Sequence, residues 1–317
     1  MSHTTLAVLL TLVGHAAHAR NGAPTHDALG MTWLTHLPSA PFAGSTWGDQ
    51  VLVFVPHHFT PSAEVSFVVH FHGFATTPTG GVEAMRLRHQ LTASGKNAVL
   101  ISPQCPMRGP TAPSGKMAHR GGFRALLLDA LGFLRDEGLV EADARLGPVL
   151  VTAHSGAFPL AVDAARFGDA PVAQVVLLDA LYGRHADFVE WITDHPSARF
   201  VSLASNGSIP DRSKSQILGP LTARGVPALV EVAEGAASRR DLRESRIAFL
   251  ASPWAHFACV YHRLVLRDIL AASPLPVAVE TGWALELDAR PRRLERFTDV
   301  KRELLARGTP AKKSTVD

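Results

Sequence analysis

The stretch "VLVTAHSGAF", residues 149–158, runs from apolar β-branched residues straight into His154-Ser155-Gly156, with alanine at 153 and 157. Two readings fit it. A strand can end in a serine that merely caps the following helix. Alternatively, the chain makes the sharp strand-to-helix turn that lifts a serine hydroxyl clear of a sheet as a nucleophile. That turn demands small neighbours, because its backbone is strained and its flanks are crowded. Ala153 and Ala157 each stand one methyl above the glycines of the G-x-S-x-G pattern. The segment "GAFPLAVDAARFG" suits a helix whose N-terminus favours negative charge beside Ser155. Pro159 falls in its first turn, where proline is tolerated.

Working outward, near-continuous apolar runs predict strands over residues 50–56, 65–72, 97–103, 147–155, 173–179 and 199–205. Further strands at 227–233 and 246–252 have no assignable partners. Runs of this kind suit strands buried on both faces. Residues 123–138 carry apolar side chains at helical spacing and close on Gly138, and weaker helices are expected at 185–195 and 212–225. The alternation specifies an α/β fold: a mainly parallel central sheet flanked by helices, without a large cap domain. A long Gly/Pro-rich connection, residues 104–122, follows a strand at the edge where open parallel sheets hold their ligands.

The whole chain sets the frame for that site. Its 317 residues, 46% hydrophobic and 19% charged, can bury a substantial core. Residues 1–19 form a short apolar run that closes on Ala17-His18-Ala19, a cleavage-site pattern. The expectation is a signal peptide, a mature domain over 20–317, and a secreted or periplasmic location. No segment has the roughly 20 apolar residues of a membrane span. The formal charge is +3, and the Lys and Arg are spread without interleaved aromatics, which argues against nucleic acid as a partner. The basic stretch near the C-terminus mixes in Glu295, Asp299 and Glu303 at helical spacing, as a solvated helix and tail would.

A serine hydroxyl becomes a nucleophile when an imidazole takes its proton, and a carboxylate must orient that imidazole. His256, in a short loop between a strand-like run and a helix, is the candidate base, with His185 and His262 as rivals. Asp179 and Asp211 both follow strands after the serine and satisfy the order Ser, Asp, His. Asp179 is favoured because a strand end holds it rigidly, whereas Asp211 could equally cap a helix. Upstream, "HFHGF" places Phe74 in the loop after an earlier strand. With Gly156 it supplies the two main-chain N–H donors that a tetrahedral oxyanion needs. His70 and His72 form an H-x-H pair of the kind zinc hydrolases use, but no third ligand stands at a fixed offset. No metal or organic cofactor is expected.

Together, "HFHGF", "ISPQCP", "AHSGA", a strand-end Asp and a late loop His resemble the α/β-hydrolase superfamily. "ISPQCP" looks like the segment found in secreted esterases of the feruloyl-esterase and polyhydroxyalkanoate-depolymerase type. The resemblance spans roughly residues 50–270 and departs from the family at Ala153 and Ala157. It implies a nucleophile at Ser155, a base at His256 and oxyanion donors at Phe74 and Gly156. Cys105 and Cys259 would then both lie at the site's edge of the sheet, where a disulfide is expected to tether the long loop to the histidine loop. Met107, Met117 and His119, with Phe74, Tyr182 and Trp254, are candidate pocket residues.

The expected function is therefore a serine hydrolase acting on a small-molecule or polymeric carboxylic ester. A peptidase or amidase using the same residues, and a binding protein that kept the fold without the chemistry, are the alternatives.

Overall fold

The apolar runs pair into one sheet. The computed structural model describes residues 22–45, 48–106, 113–231 and 235–281. Its strands are β1 (Thr25–Asp27), β2 (Gly30–His36), β3 (Gln50–Pro56), β4 (Glu64–Phe71), β5 (Val99–Pro103), β6 (Arg145–His154), β7 (Val172–Leu178), β8 (Arg199–Ser205), β9 (Leu229–Val230) and β10 (Ile247–Ser252). Their order across the sheet is β1-β2-β3-β5-β4-β6-β7-β8-β10-β9. From β5 to β9 every neighbouring pair is parallel. The three pairings from β1 to β5 are antiparallel.

Helices α1 (Pro78–Ala84) and α2 (Leu87–Ser94) connect β4 to β5; α3 (Gly122–Asp136), α4 (Phe158–Phe167) and α5 (His185–Asp194) make the next three crossovers. After β8 come α6 (Ile209–Ser213), α7 (Ser215–Ala223) and α8 (Arg239–Glu244), and after β10 come α9 (Ala258–Tyr261) and α10 (Val265–Ala272). Strand alternation divides the core between two faces. Val65, Phe67, Val69 and Phe71 of β4, and Val149, Val151 and Ala153 of β6, pack with α3, α4, α5 and α7. Val68 and Leu150 pack on the other face with α2 and α10. A sheet covered on both sides has no polar face to show, which is why these strands read as unbroken apolar runs.

The expected strand at 50–56 matches β3 residue for residue, and that at 199–205 matches β8. The run at 227–233 contributes only the two-residue edge strand β9 beside β10. The helix expected over 212–225 divides into α6 and α7 at Lys214, and Pro220 sits inside the second piece. β1 and β2 extend the sheet beyond the sequence expectation; β2 lies near its edge, and its burial is too broken to stand out as an apolar run. Residues 1–19 and the basic C-terminal stretch lie outside the described residues. Among the described residues no helix is long and apolar enough to cross a membrane.

The strand order reverses at the centre of the sheet. β4 leads to β5 on one side of it, while β6, on its other side, leads onward to β7. Loops leaving such a pair diverge, and the crevice between them at the carboxyl ends is where this architecture binds ligands. Gly73 and Ser155 follow those two strand ends.

Candidate functional site

Ser155 opens a tight 3-10 turn, Ser155–Ala157, between β6 and α4. Its φ is +57°, a left-handed conformation that costs a non-glycine residue about 1–3 kcal/mol. Neighbours of the right size make that conformation possible. Ala153 and Ala157 are fully buried, so their methyls fit where glycine was the expectation. Gly73 lies against the turn: a Cβ on it would stand 2.9 Å from Ser155 Cβ and 3.2 Å from the His154 carbonyl oxygen. Pro159 occupies the first turn of α4, as its sequence position requires.

Asp179 directly follows β7, also at positive φ, +45°. It is buried and accepts four hydrogen bonds. The Ser205 N–H donates to Oδ1 at 3.1 Å and Ser208 Oγ to Oδ1 at 3.0 Å; Ser205 Oγ donates to Oδ2 at 3.2 Å. The fourth donor is His256, whose Nδ1 lies 2.7 Å from Oδ2. With Nδ1 engaged, Nε2 is the ring nitrogen left for proton exchange. The other carboxylate candidate is used differently. Asp211 accepts from the Gly207 N–H at 2.9 Å and from Lys214 Nζ at 2.6 Å, within the cap of α6. Its burial works against ionisation, but those donors outweigh it and hold the carboxyl below its usual range. Of the rival histidines, His262 lies against Trp254 at 3.4 Å between ring centroids, and His185 opens α5.

His72 does not approach a metal-like arrangement with His70. Its Nδ1 donates to the Gly73 carbonyl at 2.9 Å, and its Nε2 accepts from the Cys105 N–H at 2.9 Å. Because a trans peptide points its C=O and N–H in opposite directions, this bond turns the Phe74 N–H away from the His72 ring. His70 is buried in the sheet with Nδ1 2.8 Å from Thr152 Oγ. Among the described residues, no three His, Cys, Asp or Glu side chains are grouped to hold a metal ion.

The expected disulfide is absent. Cys105 and Cys259 are both buried thiols. They belong to opposite faces of the sheet, Cys105 to the core under α3 and α4 and Cys259 to the core under α2 and α10. Cys259 Sγ donates to the His256 carbonyl at 3.1 Å, so each cysteine supports its own loop. The expected pocket lining is also corrected in part. Met117 is fully buried in the core, because the long connection folds back as a 3-10 turn, Gly115–Ala118; Met107 lies outside the described residues. Phe74 and Tyr182 do reach the surface, at 50% and 37% exposure, and Phe257 joins them at 43%. A separate cavity of about 900 Å³, lined by Arg120, Arg124, Arg135 and Arg145 among others, includes none of the candidate site residues.

Further contributors to the site were not anticipated. Ser205 and Ser208 hold Asp179, and a serine at the end of the next strand was the available signal. His154 packs its ring against His256 at 4.5 Å between centroids; its place beside Ser155 was the signal there. Asp163 of α4 binds Arg184 at 2.7 Å, tying the helix after Ser155 to the loop after Asp179.

The sequence matches no protein-family model and no curated protein. Solved structures do resemble the fold. A protein described as FAE shares 12% identity at a TM-score of 0.52, over 87% of this chain and 98% of its own. The serine hydrolase FphF of Staphylococcus aureus shares 10% at 0.48, over 79% and 99%. A mutant feruloyl esterase module from Clostridium thermocellum, complexed with sinapinate, shares 13% at 0.46, over 80% and 94%. Likeness at such identity is one of architecture, and with the mostly parallel ten-stranded sheet it gives this chain the α/β-hydrolase fold.

Proposed function

We propose that the protein is a serine hydrolase that cleaves carboxylic esters through an acyl-enzyme. The observation that carries this reading is the 2.7 Å pairing of His256 Nδ1 with a buried, strand-end Asp179. It orients an imidazole whose ring packs on His154, the residue before a serine held on a strained turn.

In the proposed reaction Ser155 Oγ bonds to the ester carbonyl carbon while His256 Nε2 takes the hydroxyl proton. Negative charge moves to the carbonyl oxygen, which the N–H groups of Phe74 and Gly156 receive. As the tetrahedral species collapses, the bond to the alcohol oxygen breaks and His256 returns the proton to that leaving group. A water then attacks the acyl-enzyme, giving its proton to His256. The second collapse restores Ser155 and releases the carboxylic acid. Aryl esters are the first substrates to try, because the exposed rings of Phe74, Tyr182 and Phe257 lie on the three loops that carry this chemistry. Removal of residues 1–19 during export belongs to the same proposal, and N-terminal sequencing of the exported protein, beginning at Arg20, checks it.

The test is labelling with a fluorophosphonate probe alongside turnover of aryl esters and matched anilides. Ser155→Ala and His256→Ala are expected to abolish both labelling and ester turnover. An unlabelled but folded wild-type protein would defeat the proposal, and faster anilide than ester turnover would convert it to an amidase.

Gly73→Ala offers a check on the oxyanion loop. The added methyl meets Ser155 Cβ at 2.9 Å and His154 Nδ1 at 3.0 Å, and neither can yield without moving the turn. Loss of the Phe74 donor from its position is expected to lower kcat by about 10²–10³. The overpacking should cost about 1–3 kcal/mol of stability in denaturant titration. A variant with wild-type kcat would remove the loop from the mechanism.

A further inference from the structure

We infer that His154, the residue before the proposed nucleophile, is a positioning residue for His256, presenting the flat surface on which the base's ring rests. The inference rests on the serine-hydrolase reading only for its consequence in turnover.

A hydrogen bond fixes one atom of an imidazole and leaves the ring able to pivot about that bond. His256 is in this position. Asp179 holds its Nδ1 edge, and 35% of its side chain is exposed to solvent. Phe257 and Tyr182 meet the ring only edge-on, at 5.4 Å and 6.5 Å between centroids. His154 makes the closest ring contact, 4.5 Å between centroids and inclined by 39°, and Phe257 packs on His154 in turn at 4.6 Å. A tilted ring contact this close restrains the pivot that the hydrogen bond leaves.

The other side of His154 meets the oxyanion loop, since its Nδ1 is 3.0 Å from the position a Gly73 Cβ would take. One buried ring therefore spaces the base loop from the oxyanion loop. Its chemistry suits that place. His154 is 1% exposed, and its ring nitrogens make no full hydrogen bond beyond a weak contact with the main chain of His256, so it acts here chiefly as a packing surface against that loop. Burial, with His256 nearby, lowers its pKa to about 3, and the charged or titratable groups around it are His256, Asp179, His72 and His70. A neutral ring beneath His256 favours the imidazolium that forms during acyl transfer, as an aromatic face favours a cation. A protonated His154 would oppose it.

The test compares His154→Phe, which keeps a flat ring, with His154→Leu, which removes it. Both are apolar and suit a buried site, and both lose the weak contact with the His256 main chain equally, so only the ring differs between them; His154→Met replaces the leucine variant if thermal melting shows that variant unfolded. The first readout is the titration of His256 followed by NMR, which needs no turnover. In the leucine variant its midpoint is expected to fall by about half a unit to one unit, and in the phenylalanine variant to stay within about 0.2. The second readout is the kinetics of ester hydrolysis. The leucine variant should lose about 10–100-fold in kcat with KM within about twofold, while the phenylalanine variant stays within about threefold. An unmoved His256 midpoint in the leucine variant, or equal changes in both variants, would overturn the inference. Absence of Ser155-dependent turnover in the wild type would instead remove the hydrolase reading and leave the NMR comparison to decide the positioning role.

Discussion

Asp179→Asn is expected to lower kcat for ester hydrolysis by about 10⁴ while leaving the protein folded. The size follows from which atom of the new amide must face which neighbour. Asp179 Oδ1 accepts from the Ser205 main-chain N–H, a donor that cannot rotate away. An asparagine would keep its oxygen there and turn its NH2 toward His256 Nδ1, where Oδ2 now stands. Ser205 Oγ, which donates to Oδ2, can rotate and accept from the amide, so the site remains satisfied. His256 Nδ1 must then accept, which moves the ring proton to Nε2. An Nε2–H imidazole cannot take the Ser155 proton. The same substitution at Asp211 serves as the control. Its carboxylate belongs to the cap of α6, so Asp211→Asn should leave kcat within about threefold. Steady-state kinetics on one aryl ester measures both. A fall of less than tenfold at Asp179, or a larger fall at Asp211, would reassign the acid.

The contrast between these two carboxylates shows how far the sequence reaches. Position at a strand end favoured Asp179, and the pairing with His256 follows from the same logic: β7 and the loop after β10 both finish at the carboxyl edge. Ser155 was legible because a strained turn restricts which residues can surround it. The disulfide expectation failed for a reason that sequence spacing does not carry. Cys105 and Cys259 both lie near the carboxyl edge, but they occupy opposite faces of the sheet, and face depends on the pleat at each strand end. Met117 was misread similarly, since a loop that folds back into the core resembles an open one in composition. The work of His72 and His154 was hidden because an imidazole that donates one hydrogen bond, or none, looks in sequence like any other histidine.

Those buried histidines predict an early loss of stability in acid. His70, His72 and His154 are each at most 1% exposed. Thr152 Oγ donates to the Val69 carbonyl, so it must accept from His70 Nδ1, and His70 Nε2 has no partner for a second proton. Protonating His72 Nε2 would set an N–H against the Cys105 N–H. His154 has only a weak contact with the His256 main chain, which burial outweighs. Burial accordingly holds all three pKa values below the ordinary 6.5: His70 well below it, His72 at about 4 and His154 at about 3. The unfolded chain therefore takes up protons that the folded chain refuses. Stability is fully present above about pH 6.5 and falls as the pH drops from there toward 4, by roughly 1.4 kcal/mol per pH unit for each histidine. From pH 6.5 to 5 His72 and His154 alone remove about 3 kcal/mol, a large share of the stability of a typical domain, and His70 acts in the same direction. Glu231, whose carboxyl burial raises, opposes this by at most one proton. The carboxylates held low, Asp27, Asp49, Asp211 and Asp241, shift down from an ordinary value of 3.8, so their contribution is lost mainly below this window. Urea midpoints measured from pH 8 to 4.5 should fall steeply below 6.5 with an unchanged m-value, and His154→Phe should make that fall shallower; His58 and His185, whose pKa values burial also lowers, add to it in both proteins. A midpoint that stays level from pH 7 to 5 would mean that these rings accept protons inside the fold, and the neutral packing described around Ser155 would have to be abandoned.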